Sequence, residues 1–359
     1  MTNYSLCTGG FPVKHRTHNS RFAKAGVSCF YDSEVLNSSF VHLRSLVLKI
    51  PAFAKRQNVI DYFRTTHKMK RTLHILTLLL TWYSSFGQTS YSGFIDKYPI
   101  ELVTDIFSDG DARAIYAYSN YDEPIVINGE LKQGKLTLYE KDSNGKNKAT
   151  LTIDNFDTKS SQLEGIWKEL NSNKQLKISL TKTFDIDYGE NIEWIALEII
   201  QPVSLKDKYF KLVISKAKAN FYANVTGVKI FEKKTDKLIQ KIDLECQLWG
   251  LNNISVGDYN FDGIDDFSVF EQSYAGPNTS SLYFLFNPKT GKYFKSSFEG
   301  TSLEFDQKTK RIYEHNQCCA GRSHMNAEYK VVNNKMVLIK KTCFEYDEKK
   351  EDFIKVKCE

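Results

Sequence analysis

The chain of 359 residues is longer than one ordinary core needs, and its 41% hydrophobic and 13% aromatic content excludes a disordered protein. Its formal charge of +6 is lodged at one end. Residues 1–88 hold twelve Lys/Arg against three Asp/Glu, so 89–359, with 37 basic and 40 acidic residues, carry −3. Nucleic-acid binding by that larger part therefore has no electrostatic footing.

Residues 1–68 carry Cys7, Cys29 and four of the seven His without a clear hydrophobic period. They read as a non-native or disordered upstream extension to which no function is assigned. Met69 then opens a three-part segment: Lys70 and Arg71, the apolar Leu73–Trp82, and the polar Tyr83–Gln88. This is the build of a secretory signal peptide over 69–87, with Ser85 and Gly87 at positions −3 and −1 of a cut before Gln88. About ten apolar residues cannot cross roughly 30 Å of hydrocarbon, so no transmembrane anchor is expected. The expected location is outside the cytosol: periplasm, cell surface or medium. A signal peptide opens its chain, so a start at Met69 with an artefactual upstream stretch fits better than a cytosolic extension.

An all-β fold follows. Over 91–184, strand-like runs at Ile100–Phe107, Ala112–Tyr118, Ile125–Ile127, Lys135–Glu140, Ala149–Ile153, Gln162–Trp167 and Leu176–Leu180 are separated by turn pairs. Asp109-Gly110, Asn128-Gly129 and Asn144-Gly145 are the strongest hairpin signals among them. The expectation is an antiparallel β-meander, curled or closed into a small barrel. A second β-domain over 190–359, partly propeller-like or a sandwich, is expected beyond a boundary near Asp185–Asn191. Its runs are Ile192–Ile200, Tyr209–Ile214, Val225–Phe231, Phe267–Phe270, Leu282–Phe286, Tyr293–Ser296, Ala327–Val332 and Lys335–Lys341. Mixed periods over Glu193–Gln201 and Lys233–Cys246 leave room for one short helix.

The sharpest motif is Gly257-Asp258-Tyr-Asn260-Phe-Asp262-Gly263-Ile264-Asp265-Asp266. Calcium takes six to eight hard oxygens, and a tight loop supplies them by aiming alternate side chains at one centre. Here Asp258, Asn260 and Asp262 stand at positions 1, 3 and 5, Gly263 permits the turn, Ile264 offers its carbonyl and Asp266 is at position 9. An EF-hand needs Glu at position 12, where this chain has Val269, and both flanks read as strands. The expectation is a strand–loop–strand site for one structural Ca2+. Asp and Asn also favour metal-free turns, which is the competing reading.

With Leu282–Asn287 and Thr290–Phe294, this loop resembles the FG-GAP/integrin-type calcium repeat. Residues 190–359 resemble a group of exported bacterial proteins with one such repeat, similar to periplasmic lysozyme-inhibitor and immunity proteins. That resemblance implies a partner of the lysozyme-like class and a protein that blocks it. Residues 91–184, with Tyr91-Ser-Gly93 and Gly165-Ile-Trp167, resemble β-meander domains of secreted Bacteroidetes proteins.

An oxidising location leads to expected disulfides among Cys318, Cys319, Cys343 and Cys358, for which three connectivities exist. In a regular strand the adjacent Cys318 and Cys319 point to opposite faces and could pair separately with Cys343 and Cys358. Cys246 is left as a buried thiol. A zinc site lacks the C-x₂-C spacing.

No catalytic residues are assigned: G-x-S-x-G, H-E-x-x-H and a phosphate-cradling glycine loop are absent, and His315 and His324 are the only histidines after the signal segment. The loop 271–281 is rich in Gly, Pro, Asn and Ser, and Ser273, Tyr274, Asn278 and Ser280 are candidates for partner contact. Three function classes remain: a binding protein that inhibits a lysozyme-like hydrolase, a cell-surface structural or glycan-binding module for cell-wall glycan, and a secreted hydrolase.

Overall fold

The computed structural model describes residues 88–358 apart from 120, 173, 187–190 and 275; the expected signal peptide and the extension before it lie outside the described residues. The described chain is all-β, its one helical element being the single 3-10 turn Cys319–Gly321. No described helix is long and apolar enough to cross a membrane.

Eight strands form a closed antiparallel barrel in sequence order: β1 Gln88–Ile95, β2 Tyr98–Ile106, β3 Asp111–Tyr118, β4 Ile125–Lys132, β5 Lys135–Lys141, β6 Asn147–Ile153, β7 Gln162–Glu169 and β8 Gln175–Asp185. Closure comes from β1 pairing with β8, with Phe94 opposite Ser179. Alternate residues such as Tyr91, Leu102, Tyr116, Ile127, Leu138, Leu151 and Leu180 fill the interior. Glu140 is buried there among donors. Tyr116 Oη gives it a hydrogen bond at 2.9 Å, Trp167 Nε1 one at 3.3 Å, and Lys148 Nζ stands 2.7 Å away.

The expected turn at Asn128-Gly129 is corrected: both residues lie inside β4. A Cβ on Gly129 would stand 1.8 Å from the Thr137 carbonyl oxygen, so the residue serves the close approach of β5 in a tightly curled wall. The chain turns instead at Gln133 and Gly134, where φ is +51° and +75°, the left-handed pair of a two-residue hairpin. Asp109-Gly110 and Asn144-Gly145 do turn, with glycine φ of +94° and +79°.

Three open antiparallel meanders follow. The first comprises β9 Trp194–Ser204, β10 Lys208–Lys216, β11 Asn224–Glu232 and β12 Lys237–Gln247. The second comprises β13 Ile254–Gly257, β14 Asp266–Ser273, β15 Thr279–Asn287 and β16 Lys292–Lys295. The third comprises β17 Leu303–Asp306, β18 Arg311–Cys318, β19 Ser323–Val332, β20 Lys335–Asp347 and β21 Asp352–Val356. The short helix allowed for in Glu193–Gln201 or Lys233–Cys246 does not form, since β9 and β12 occupy those segments. In β12 the apolar positions Ile242, Leu244 and Cys246 recur with period two, and that spacing wins over the charged residues between them.

Packing joins what chain order separates. Val103, Ile115 and Ala117, on the barrel wall, share one core with Phe210, Leu212 and Ile230 of the first meander and Phe267, Val269 and Phe284 of the second. Three consecutive positions along β15 show why the sheets stack. Phe284 enters that core, whereas Tyr283 and Leu285 enter another with Phe298, Phe305 and Ile312 toward the third meander. Alternation with both faces apolar makes the second meander a layer between two others.

Candidate metal centre

The segment 258–265 connects β13 to β14, whose first residue is Asp266, so this is a strand–loop–strand element with no helix on either side. Its side chains divide by parity. Tyr259 and Phe261 are buried and enter the core between the second and third meanders, with Tyr259 4.7 Å from the Phe305 ring in edge-on contact. Asp258, Asn260 and Asp262 alternate with them. The two rings thus anchor the loop; of the three polar residues Asn260 is buried with them, Asp258 is half-buried and Asp262 is exposed.

Those polar oxygens are turned onto the loop's own backbone. Asp258 Oδ1 accepts the Asp262 N–H at 3.0 Å and its Oδ2 accepts that of Gly263 at 2.8 Å. Asn260 Oδ1 accepts the Asp262 N–H at 3.2 Å, and Asp262 Oδ1 accepts that of Ile264 at 2.9 Å. Asn260 Nδ2 donates to Asp262 Oδ2 at 2.9 Å. Gly263 has φ of +87°, the conformation for which the glycine is needed. Phe261 also has a positive φ of 64°, unusual for a bulky side chain; its buried ring holds it there.

Asp266 plays a different part. It is fully buried, with Oδ2 accepting the Tyr259 N–H at 3.0 Å and Oδ1 accepting the Phe286 N–H at 2.8 Å. It is therefore the strut between the loop and β15. Burial pushes its carboxyl up to about 6, opposed by these backbone bonds and aided by the negative charge of Asp262.

The donor chemistry fits a hard cation. Every side-chain donor is oxygen, each carboxylate oxygen keeps a second lone pair beyond its backbone bond, and Asp262 and Asp266 repel until a cation neutralises them. Asp258, Asn260, Asp262 and the Ile264 carbonyl would hold the ion, with Asp266 behind them. Among the described residues, no group of three or more His, Cys, Asp and Glu side chains is gathered as a metal cluster. Hydrogen bonds bring the Asn260 amide against the Asp262 carboxylate, and Asp258 meets this pair through the Asp262 N–H.

Three residues that sequence reasoning missed clamp the loop. Gln307 Nε2 donates to the Asp258 carbonyl at 2.7 Å, Lys310 Nζ to that of Phe261 at 3.2 Å, and Asn334 Oδ1 accepts from Asn260 Nδ2 at 3.0 Å. They sit on the β17–β18 and β19–β20 turns, up to 74 residues away in the chain. Turn composition marks Asn333-Asn334 as a turn, but nothing local says which loop it meets.

Two of the four partner-contact candidates, Asn278 and Ser280, turn inward. β14 and β15 extend to Ser273 and back from Thr279, so only 274–278 is a connection, closed by Tyr274 N–H on the Asn278 carbonyl at 2.9 Å. Asn278 is buried, giving Nδ2 to the Gln317 carbonyl at 2.6 Å and taking the Gln317 N–H on Oδ1 at 3.1 Å. Ser280 is buried and donates to Glu271 at 2.9 Å, while Tyr274 and Ser273 remain partly exposed. Separate pairing of Cys318 and Cys319 with Cys343 and Cys358 is corrected: Cys343 and Cys358 are bonded to each other. Met325 faces Cys343, and Val356 faces it from β21, so the strand pairing itself brings the C-terminal cysteine to that partner. Cys246 is buried in the large core, its thiol pushed up to about 12 by desolvation.

No protein-family model matches the chain. No curated protein matches it either. Among solved structures it is similar to a Xanthomonas type IV secretion system related protein, at 14% identity and a TM-score of 0.31, covering 46% of this chain and 98% of that one. It is similar also to a protein from Lactobacillus plantarum, at 9% identity and a TM-score of 0.24 over 75% of this chain and 95% of the other. The β-propeller domain of the Trilobed protease from Pyrococcus furiosus matches at 11% identity and a TM-score of 0.20, over 76% of this chain and 72% of that domain. These likenesses are too low to carry an argument about function.

Proposed function

We propose that the chain is an exported, non-enzymatic binding protein whose loop 258–266 takes one structural calcium ion. The observation that carries this reading is the set of oxygen-bearing side chains tied together on one anchored loop: Asp258 and Asn260 both accept the Asp262 N–H and the Asn260 amide meets the Asp262 carboxylate, while Tyr259 and Phe261 are buried in a core. An ion there joins β13 to β14 and, through Gln307, Lys310 and Asn334, stiffens the contact with the third meander. Export is supported by the signal-like segment 69–87 read from the sequence, with its basic start, short apolar run and small residues before Gln88. The most concrete form of binding is inhibition of a lysozyme-like hydrolase, and its support is the resemblance of 190–359 to inhibitor and immunity proteins. With Asn278 and Ser280 engaged internally, Ser273 and Tyr274 are what remains of the proposed contact edge. Turbidity clearing of cell walls by several muramidases, with and without the purified protein, tests this form; clearing unaffected in every case removes it.

A second reading has its own observation. Trp249 is 58% exposed and lies 5.1 Å from the Phe270 ring, tilted 38° to it, an exposed indole of the kind that stacks on a sugar ring. It predicts retention on cell-wall polysaccharide that is lost in Trp249→Ala, with muramidases unaffected.

A further inference from the structure

The pairing of Cys343 with Cys358 leaves a second sulfur pair at the end of β18. Cys318 Sγ and Cys319 Sγ stand 2.7 Å apart, well inside the non-bonded separation of two sulfur atoms. A regular strand would send these neighbouring side chains to opposite faces. The backbone here does otherwise: Cys318 is extended, with φ of −134° and ψ of −178°, and Cys319 switches to a φ of +56°. Ala320 and Gly321 follow at +54° and +82°. Left-handed conformation costs each non-glycine residue roughly 1 kcal/mol, so two in succession need something that holds them. The switch at Cys319 is what brings its sulfur to the side occupied by that of Cys318.

We propose that Cys318 and Cys319 form a vicinal disulfide, an oxidative modification that closes an eight-membered ring over their shared peptide bond. Cys319 is exposed and Cys318 is buried, so Cys319 reacts first. Arg322 gives its backbone N–H to the Cys319 carbonyl at 3.2 Å and pairs its guanidinium with Glu348 at 2.7 Å. The thiolate is the reacting form. The oxidant is a small-molecule disulfide or a thiol–disulfide oxidoreductase. The Cys319 thiolate attacks one sulfur of the oxidant, forming a mixed disulfide and releasing the other sulfur as a thiolate. Cys318, having lost its proton, then attacks Cys319 Sγ and expels the second thiolate. The protein gives up two protons and two electrons, and the oxidant's disulfide is reduced to two thiols. Cys246 does not compete, since its thiol is buried in the large core. The ring sits one residue beyond Gln317, whose N–H and carbonyl are both held by Asn278, so it fixes the strand end on which the 274–278 turn rests.

The test uses the full chain, reduced, re-equilibrated with oxidised glutathione, unfolded, alkylated with iodoacetamide and mapped by mass spectrometry after proteolysis. The expected peptide containing Cys318 and Cys319 is unlabelled, two hydrogen atoms lighter than its dithiol form, and takes two labels once reduced. In Cys319→Ser the remaining Cys318 should instead carry a label or a glutathione adduct. Two labels on the wild-type peptide before reduction, a lasting glutathione adduct on it, or a link from either cysteine to Cys246, Cys343 or Cys358 would overturn the proposal.

Discussion

Replacing Asp266 by Ala separates the loop's internal framework from its ion. Asp266 is fully buried and satisfies two backbone N–H groups, those of Tyr259 and Phe286. Without it both donors stay buried with no acceptor, at about 1–3 kcal/mol each, so the expected loss is about 2–6 kcal/mol. For a protein of this size that lowers Tm by roughly 5–15 °C. Neither bond needs a cation, so the drop should be present in chelator as well as in calcium. Asp262→Ala makes the contrast. Asp262 is exposed, and its carboxylate reaches only the Ile264 N–H and the Asn260 amide within the loop. Its removal should lower Tm in calcium and leave the chelated protein within about 2 °C of wild type, a shift worth less than about 1 kcal/mol. Thermal melts of both variants, with excess calcium and with EDTA, give the answer. An Asp266→Ala protein that melts with wild type in EDTA would refute the reasoning, as would an Asp262→Ala protein equally damaged there.

Three further outcomes follow from the fold. Gly129→Ala should cost about 3 kcal/mol or more or abolish folding, because the added methyl would meet the Thr137 carbonyl at 1.8 Å; an unchanged melting curve would contradict the barrel register. Asp105→Asn should stabilise at pH 7. Burial raises the Asp105 carboxyl above its ordinary value, against the Gln88 hydrogen bond and the charge of Arg113, so the folded state disfavours its ionised form. A raised folded-state value means stability is lost as pH rises through it, and the variant's advantage should fade below about pH 4, where the wild-type group is protonated in both states. Paired melts across pH check the sign. Asn278→Ala should destabilise by about 1–3 kcal/mol through loss of both bonds to Gln317, with the calcium-dependent increment in Tm unchanged.

What could be read in advance was local. Alternation in runs such as Lys135–Glu140 and Ala149–Ile153 marked strands, because a two-residue period is visible without knowing the partner. The donor offsets of Asp258, Asn260 and Asp262 were legible for the same reason. The failures are non-local. Asn128-Gly129 has the composition of a hairpin, yet the approach of Thr137 makes it a strand interior. Asn278 and Ser280 looked like the exposed members of a loop until β14 and β15 lengthened and β18 covered Asn278. β17, β18 and β21 carry too few consecutive apolar residues to stand out, since much of the third meander is exposed on both faces. The vicinal sulfur contact depends on a φ change at Cys319 that no residue type there demands.

Calcium binding itself is the most direct measurement, by titration calorimetry on the purified, metal-stripped protein alongside its Tm. A loop site of the weak extracellular kind, with Kd of roughly 10⁻⁴–10⁻³ M, predicts one ion per chain and a Tm that climbs with calcium, by about 1–3 kcal/mol of added stability at ten to a hundred times Kd. Asp258→Ala and Asp262→Ala should abolish both signals. No heat of binding, together with a Tm indifferent to calcium and to EDTA, would contradict the account.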